Sequence, residues 1–368
     1  MEILVLINIL YMLFILIALF GFSLINQQKH LNHPSKNLDP SLSLIIPFRN
    51  EENRVFKLLK SIDNQTDLSL ISKIIFVDDH STDESNDFIK KWISKKHFNC
   101  ELKKLQSYFG KKRAIDLAIH SSNTDYLMIL DADVSFSPCF FKKLRDIFHD
   151  NEDLFIIPVI ENTGVFYSKT ISFVISILTI GMASIKLPIL ANGAALIMKK
   201  NSYLKTNPFA NNFHISSGDD MFLLKCFNEN SMRIKSVFDS ELIVYTEGSD
   251  DFKSTILRSL RWSGKMNSSG FALTKILGAL VLICNLLIWP LIIYGFIFSM
   301  PEVLLFVGIK FLTDFIALVF ACFKFKNFSL LKYSLFTFLL YPLIIKVIIF
   351  LSLINYRFKW KDRDVIKS

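Results

Sequence analysis

The sequence predicts an α/β domain built on a mostly parallel sheet, attached to a membrane by one N-terminal and about three C-terminal transmembrane helices. Three observations predict it. Residues 3–25 and 276–300 are uncharged runs long enough to cross a hydrocarbon core of about 30 Å. The stretch between them alternates short apolar runs with amphipathic segments, the pattern of strands and helices in a sheet covered on both faces. Polar clusters also follow directly on the apolar runs, at the carboxyl ends of strands where such sheets bind ligands.

The membrane segments come first. Of 368 residues, 51% are hydrophobic and 36 are Phe, a surplus concentrated near the two ends. The first run has Glu2 and no basic residue before it, and no small-residue cleavage site after it, so it reads as a retained anchor. Lys29 and Lys36 follow, and the positive-inside rule then puts the central domain in the cytoplasm. Further spans are expected at 276–300, at 303–323 and within 328–355. Counting them leaves the basic tail (Arg357, Lys359, Lys361, Arg363, Lys367) outside, against the same rule, unless Tyr341-Pro342 marks a kinked hairpin. Lys310, Asp314 and Lys346 lie inside these apolar stretches. Isolated charges at that depth are costly, so they are expected to cluster or to snorkel toward the interface.

Within the domain, residues 42–47, 73–77 and 126–130 read as buried strands, and 54–62, 83–92 and 111–119 as helices. Residues 170–185 are uncharged but short for a span. They read as a buried or interfacial helix within 170–190, with a re-entrant segment as the alternative. The expected division is an anchor at 1–28, a catalytic domain at 29–271, a membrane bundle at 272–356 and a basic tail at 357–368. Five scattered cysteines show no ligand spacing and read as reduced thiols. The net charge of +9 suits a domain resting on anionic lipid; no basic, aromatic-interleaved patch points to nucleic acid.

The polar clusters are Arg49-Asn50-Glu51, Asp78-Asp79 and Asp131-Ala132-Asp133. In the last, two carboxylates at i and i+2 leave a strand end on one face. Paired oxygen donors suit Mg²⁺ or Mn²⁺, which keeps water and phosphate oxygens as its other ligands. Alone, such a pair is a weak signal and reads more readily as a solvated turn.

It is not alone. Ile45-Ile46-Pro47-Phe48-Arg49-Asn50-Glu51-Glu52, Val77-Asp78-Asp79-His80-Ser81-Thr82-Asp83, Gly110-Lys111-Lys112-Arg113-Ala114, the Asp-x-Asp, Ser217-Gly218-Asp219-Asp220 and Arg258-Ser259-Leu260-Arg261-Trp262 occur in order. The series resembles the family 2 glycosyltransferases of the GT-A fold, over roughly residues 42–262. Within that family the chain looks most like ceramide glucosyltransferases and related bacterial lipid glycosyltransferases. The tail Trp360-Lys361-Asp362-Arg363 is similar to an ending common there, with Asp362 where glycine is usual.

The resemblance implies roles. Asp78 and Asp79 would meet the nucleobase, although Asp78 or Ser81 capping the next helix is the competing reading. Glu51 would face the base or ribose, Lys111 the diphosphate, and Asp131 the ribose and the metal-bound phosphate. Asp133 would ligate the metal directly. Asp220 would be the general base of an inverting transfer. Arg258, Arg261 and Trp262 share a helical face. There Arg261 suits a phosphate and Trp262 a sugar-facing wall, unless the three are only juxtamembrane anchors. Processive synthases of the family carry Gln where Arg258 stands, so single-sugar transfer to a lipid is expected over polysaccharide synthesis. The implied partners are a nucleotide-sugar donor, a lipid acceptor and the membrane. The implied location is the cell (inner) membrane, as a multi-pass protein with its catalytic domain in the cytoplasm.

Overall fold

The computed structural model describes residues 2–28, 40–148, 152–215, 217–269, 271–354, 356, 359–360 and 363–364. Lys29, Lys36, most of the expected linker, and Arg357, Lys361, Asp362 and Lys367 of the tail lie outside the described residues.

Helix α1 (Glu2–Gln28) leads into the domain. There β1 (Leu42–Phe48), α2 (Val55–Asp63), β2 (Ile71–Asp78), α3 (Ser85–Ile93), β3 (Cys100–Lys104), α4 (Lys111–His120) and β4 (Tyr126–Leu130) alternate as expected. The chain continues through β5 (Ser135–Phe136), α5 (Phe140–Arg145), β6 (Leu154–Ile156), β7 (Val159–Glu161), α6 (Phe166–Ser184), β8 (Ala195–Lys199) and α7 (Lys200–Thr206). It closes the domain with α8 (Asp219–Glu229), β9 (Ile234–Ser236) and β10 (Val244–Thr246). Helix α9 (Phe252–Ser269) then feeds α10 (Ala272–Ile297), α11 (Pro301–Lys324) and α12 (Ser334–Leu353).

The main sheet has the order β3-β2-β1-β4-β8-β6-β9, and only β8 runs against the others. Side chains alternate by twos between its faces. Leu42, Leu44, Ile46 and Phe48 point into one apolar layer with Val55, Leu58, Leu59 and Ile62 of α2, spaced i, i+3, i+4, i+7. Ile45, Ile75 and Ile129 point into the other, against Ala114, Ile115, Ala118 and Ile119 of α4. Two strand types escaped the sequence reading. β3 is a polar edge strand whose Glu101 pairs with Lys103 and Lys73 (2.6 and 2.7 Å), so it has no apolar run to betray it. β6 and β9 are only three residues long, and β8's antiparallel pairing with β4 and β6 ties them to the sheet. A second sheet, β5-β10-β7, lies beyond the Asp-x-Asp turn.

Among the described residues five helices are long and apolar enough to cross a membrane: α1, α6, α10, α11 and the segment Phe328–Leu353 containing α12. Four match the expected spans. Pro342 sits inside one continuous α12, so the Tyr341-Pro342 hairpin does not form; a helix in lipid keeps its backbone satisfied around a proline. Helix α6 extends the expected segment toward its N-terminus and is 61% buried, against 22–33% for the others. Its two ends join β7 and β8, so it lies between the domain and the bundle.

Close backbone contact joins α1 to α6. A Cβ on Gly181 would meet the Ala18 carbonyl oxygen at 1.9 Å, and one on Gly21 would meet that of Gly181 at 2.3 Å. The Ser184 hydroxyl donates to the Gly21 carbonyl across the same crossing. Small residues let helix backbones approach this way in an apolar bundle.

The expected charge cluster forms in part. Lys310 Nζ donates to Asp314 Oδ2 (2.6 Å) and to Asn285 Oδ1 (2.9 Å), and Tyr11 Oη donates to Asp314 Oδ1 (2.6 Å). Lys346 is not a member. Phe338 is the α12 residue that meets Lys310, at 5.0 Å from ring centroid to Nζ. Lys346 lies eight residues farther on, about 12 Å along the helix.

Gly181→Leu should separate α1 from α6 and destabilise the protein by about 1–3 kcal/mol or more, the cost of overpacking. Thermal stability of the detergent-purified variant, followed by size-exclusion chromatography, measures this; an unchanged midpoint would refute the close crossing.

Candidate functional site

The ends of β1 and β2 are laced together. After β1 the chain turns through Asn50 (φ 50°), and after β2 through His80 (φ 60°), both left-handed. Arg49 Nη1 donates to the carbonyls of Asp79 and His80 (2.9 and 2.7 Å), and Asn50 Oδ1 accepts from the Thr82 amide (2.9 Å). Asp78, fully buried, accepts from the Ser81 amide (Oδ1, 2.7 Å) and from Asn86 Nδ2 (Oδ2, 2.8 Å). The competing local role thus exists, in a different form: Asp78 braces the turn before α3 rather than capping the helix. Glu51 is buried, pairs with Arg54 (2.8 Å), and its amide donates to Ser85 Oγ (2.7 Å). Asp79 Oδ1 accepts from the Gly110 amide (3.0 Å) and so anchors the first turn of α4.

That turn presents Lys111, around which the second group gathers. Lys111 Nζ lies 2.7 Å from Asp131 Oδ1 at the end of β4, and 2.8 Å from Asp219 Oδ2 at the start of α8. It also donates to the carbonyl of Gly193 (2.9 Å), in the loop between α6 and β8. Burial works to lower the Lys111 pKa, but the two carboxylates outweigh it and hold the ammonium charged well above its ordinary range. At Asp131 burial raises the pKa, helped by Asp133 and Asp219 and opposed by Lys111.

Asp220 is almost wholly buried. Its Oδ2 accepts from the Gly193 amide (3.0 Å) and its Oδ1 from the Met221 amide (2.8 Å). Gly193 is thus gripped from both sides. A Cβ there would meet Asp219 Oδ2 at 2.9 Å, Lys111 Nζ at 3.2 Å and Asp220 Oδ2 at 3.4 Å. Asp133 Oδ1 is buried with no hydrogen-bond partner among the described residues. An orphaned carboxylate oxygen beside Asp131 fits a hard divalent cation. Among the described residues no group of three or more His, Cys, Asp or Glu side chains forms a cage.

The three residues on α9 part company. Arg261 lies deep enough that burial lowers its pKa, with Arg258 adding to this and Asp131, Asp219 and Asp220 opposing it. It therefore belongs with the carboxylate group. Arg258 instead pairs with buried Glu161 on β7 (3.0 Å) and donates to the Glu247 carbonyl (2.9 Å), and Trp262 lies 5.3 Å from its guanidinium. Glu161 also accepts from Ser168 Oγ (2.5 Å) on α6.

Glu161, Gly193 and Lys112 escape the sequence reading. Glu161 ends a three-residue strand with no motif around it, and Gly193 stands in an unremarkable Ala-Asn-Gly-Ala run. Lys112 reads as one basic residue among three. Yet its Nζ is buried, donating to the backbone oxygen and Oδ1 of Asn212 (2.5 and 2.9 Å) beneath Phe222 (4.3 Å). It steadies the loop that leads into Asp219-Asp220.

Burial lowers the Lys112 pKa from 10.5 to about 8, with Asp219 and Asp220 opposing. Between those values the unfolded chain binds more protons than the folded one, so stability rises with pH from about 8 to 10.5 and is flat below. Wild type should gain up to about 3 kcal/mol on Lys112→Met across that window. Paired thermal melts at successive pH values measure the difference, and parallel curves would refute the buried ammonium.

Residues 43–203 match the family model described as Glycosyl transferase family 2. A curated relative from Staphylococcus haemolyticus, 4,4'-diaponeurosporenoate glycosyltransferase, is 35% identical over 26% of this chain and 24% of its own length. Dolichyl-phosphate beta-glucosyltransferase of Dictyostelium discoideum is 30% identical over 32% of this chain and 38% of its own. The chain thus spans well under half of either relative. Among solved structures, a mannosyltransferase from Pyrobaculum calidifontis in complex with GDP-Man and Mn²⁺ superposes with a TM-score of 0.54 at 13% identity. The superposition covers 95% of this chain and 99% of that one. The likeness is one of fold, and it is the GT-A fold expected from the motifs.

Proposed function

We propose, on the premise that this chain is a family 2 glycosyltransferase, that it moves one sugar from a nucleotide-sugar donor, of the UDP-sugar type, to a membrane lipid with inversion at the anomeric carbon. The observation that carries the proposal is the convergence of Lys111, Asp131, Asp219, Asp220 and Arg261 beyond the carboxyl ends of β1 and β4. The sheet order reverses between those strands, where open sheets of this kind take their ligands.

In this reading Glu51, Asp78 and Asp79 line the nucleoside side, with Asp78 also bracing its own loop. Asp133, with Asp131, would hold Mg²⁺ or Mn²⁺, which would supply positive charge at the diphosphate. Lys111 and Arg261 supply further positive charge where the departing diphosphate gains negative charge. Before substrate binds, the Lys111 ammonium also keeps Asp131 and Asp219 from repelling each other.

Asp220 is the base. The acceptor oxygen forms its bond to the anomeric carbon as the bond to the diphosphate oxygen breaks. The bonding pair leaves with the nucleotide, and the acceptor proton passes to the Asp220 carboxylate. The Gly193 and Met221 amides fix that carboxylate's orientation. Arg258, committed to Glu161, positions α9 and through it Arg261 and Trp262. Support for a lipid acceptor comes from the apolar helices packed against the domain, and from the relative named for dolichyl phosphate. The basic residues that follow α1 in the sequence, Lys29 and Lys36, support a catalytic domain on the cytoplasmic face of the cell membrane.

Asp133→Ala should abolish transfer while thermal stability stays near that of wild type, and chelation by EDTA should do the same reversibly with Mg²⁺ or Mn²⁺. Sugar transfer from radiolabelled donor to lipid extract measures both, and full activity in chelator would sink the metal assignment. Asp220→Asn keeps size and hydrogen bonding but removes the proton acceptor. Turnover should fall by roughly 10² or more with donor affinity little changed. Loss of nucleotide binding instead would move Asp220 to the donor site, and a ladder of polymer lengths in the product would overturn single-sugar transfer.

A further inference from the structure

A cleft of about 420 Å³ opens where the long apolar helices meet the catalytic domain. One wall is the end of α11 and the turn after it, with Phe323, Lys324, Lys326 and Phe328. The other is the turn before β10, with Asp239 and Ser240. Phe238 fastens the two walls together, packing on Phe22 of α1 and on Phe325 (ring centroids 4.8 and 5.9 Å). Helix α11 is long and apolar enough to span a membrane and ends at Lys324. The cleft therefore lies where such a span would leave hydrocarbon for the headgroup layer.

The protein leaves positive charge in this cleft uncompensated. Among the described residues, neither Lys324 nor Lys326 has a carboxylate partner. Lys324 Nζ rests instead among the rings of Phe22, Phe320 and Phe323, at 5.5, 5.3 and 6.0 Å from their centroids. Rings attract a cation but leave the hydrogen-bonding capacity of its three N–H groups unused. Lys326 follows in the turn, exposed. On the facing wall the exposed Ser240 hydroxyl also has no hydrogen-bond partner among the described residues. Asp239 is engaged elsewhere: its Oδ1 accepts from the Glu241 amide (3.1 Å), and its Oδ2 lies 3.8 Å from Lys143 Nζ on α5.

Apolar surface continues the cleft. Phe323 and Phe328 are 65% and 55% exposed, which suits rings that meet acyl chains rather than water. The segment that follows α1 in the sequence carries Lys29 and Lys36 against one acid, Asp39, so it offers no surplus of negative charge to fill the cleft.

We propose that this cleft binds the headgroup of an anionic phospholipid. Its phosphodiester lies between Lys324 and Lys326, Ser240 donates to it from the facing wall, and its acyl chains run along Phe323 and Phe328. Basic pockets at the headgroup level of membrane helices take lipid phosphates in this way. Two ammoniums outnumber the one carboxylate lining the cleft, and Lys143 already engages that carboxylate, so a singly charged phosphodiester meets net attraction. A lipid fits better than a free phosphate, because a free ion would leave the two phenylalanine rings in water. The bound lipid bridges α11 to the turn before β10 and so seats the domain against the leaflet. The proposal rests on the membrane reading of the apolar helices and is independent of the sugar and its acceptor.

Full-length protein in detergent, titrated with phosphatidylglycerol or phosphatidylcholine and read by native mass spectrometry, tests this. Wild type should retain its first phosphatidylglycerol about tenfold more tightly than phosphatidylcholine. Lys324→Gln combined with Lys326→Gln should lose that preference at an unchanged thermal midpoint in detergent, and the matching pair of Arg substitutions should keep it. Ser240→Ala, an exposed change that leaves the fold alone, should weaken phosphatidylglycerol about threefold. Equal retention of the two lipids by wild type would overturn the site, as would an undiminished preference in the Gln and Ala variants. Inorganic phosphate and glycerol 3-phosphate should not displace the lipid; displacement by either would make the cleft a site for free anions and overturn the lipid assignment.

Discussion

One ammonium ties together segments that are far apart in the chain. Lys111 stands at the start of α4, Asp131 after β4, Gly193 between α6 and β8, and Asp219 at the start of α8, and all four meet within hydrogen-bond distance. Without it, Asp131 and Asp219 would face each other in a cleft where desolvation already disfavours the charge on Asp131. The lysine therefore makes a dense group of carboxylates compatible with a folded, substrate-free protein. It also places a positive charge beside the position a diphosphate would take. Neighbouring contacts are arranged around this point: Asp79 fixes the turn that presents Lys111, Gly193 clears space for it, and Lys112 holds the loop on the far side.

Helix α6 links this cleft to the long apolar helices. It packs its small residues against α1, presents Ser168 and Ser172 to Glu161, and turns Thr170, Val174 and Leu178 toward the bundle. Through Glu161 and Arg258 it also braces α9, on which Arg261 stands within electrostatic range of the carboxylates. A helix with this many commitments is buried on most of its surface, although its composition would suit a lipid-facing segment. The charged residues Lys310 and Asp314 within the bundle are satisfied in the same way. Lys310, Asp314, Asn285 and Tyr11 serve one another, which lets two charges lie among apolar helices at a tolerable cost.

Much of this was legible in the residues. The central strands and flanking helices announced themselves by period-2 and period-3.6 patterns, because each element buries one face against the same core. Uncharged runs of more than twenty residues marked α1 and α10, since lipid leaves few alternatives to a helix. Polar clusters at strand ends fixed where a cleft would open, and the order of the motifs carried the family resemblance and with it the residues of the candidate site. Lys310 and Asp314, one turn apart on one helix, could be paired from spacing alone.

Contacts between distant segments depended on the tertiary structure. Lys346 and Arg258 show this in opposite ways. Lys346 was a plausible third member of a charge cluster, but the offset between α11 and α12 puts Phe338, not Lys346, beside Lys310. Arg258 shares a helical face with Arg261, yet a buried glutamate on a three-residue strand claims it. Gly193 has no local signature at all; its need for a bare α-carbon arises from two carboxylates and an ammonium brought from elsewhere in the chain. Periodicity records what each segment buries, which is a local property of the chain. Which side chain meets which across the fold depends on the register of packed elements, and no single segment encodes that.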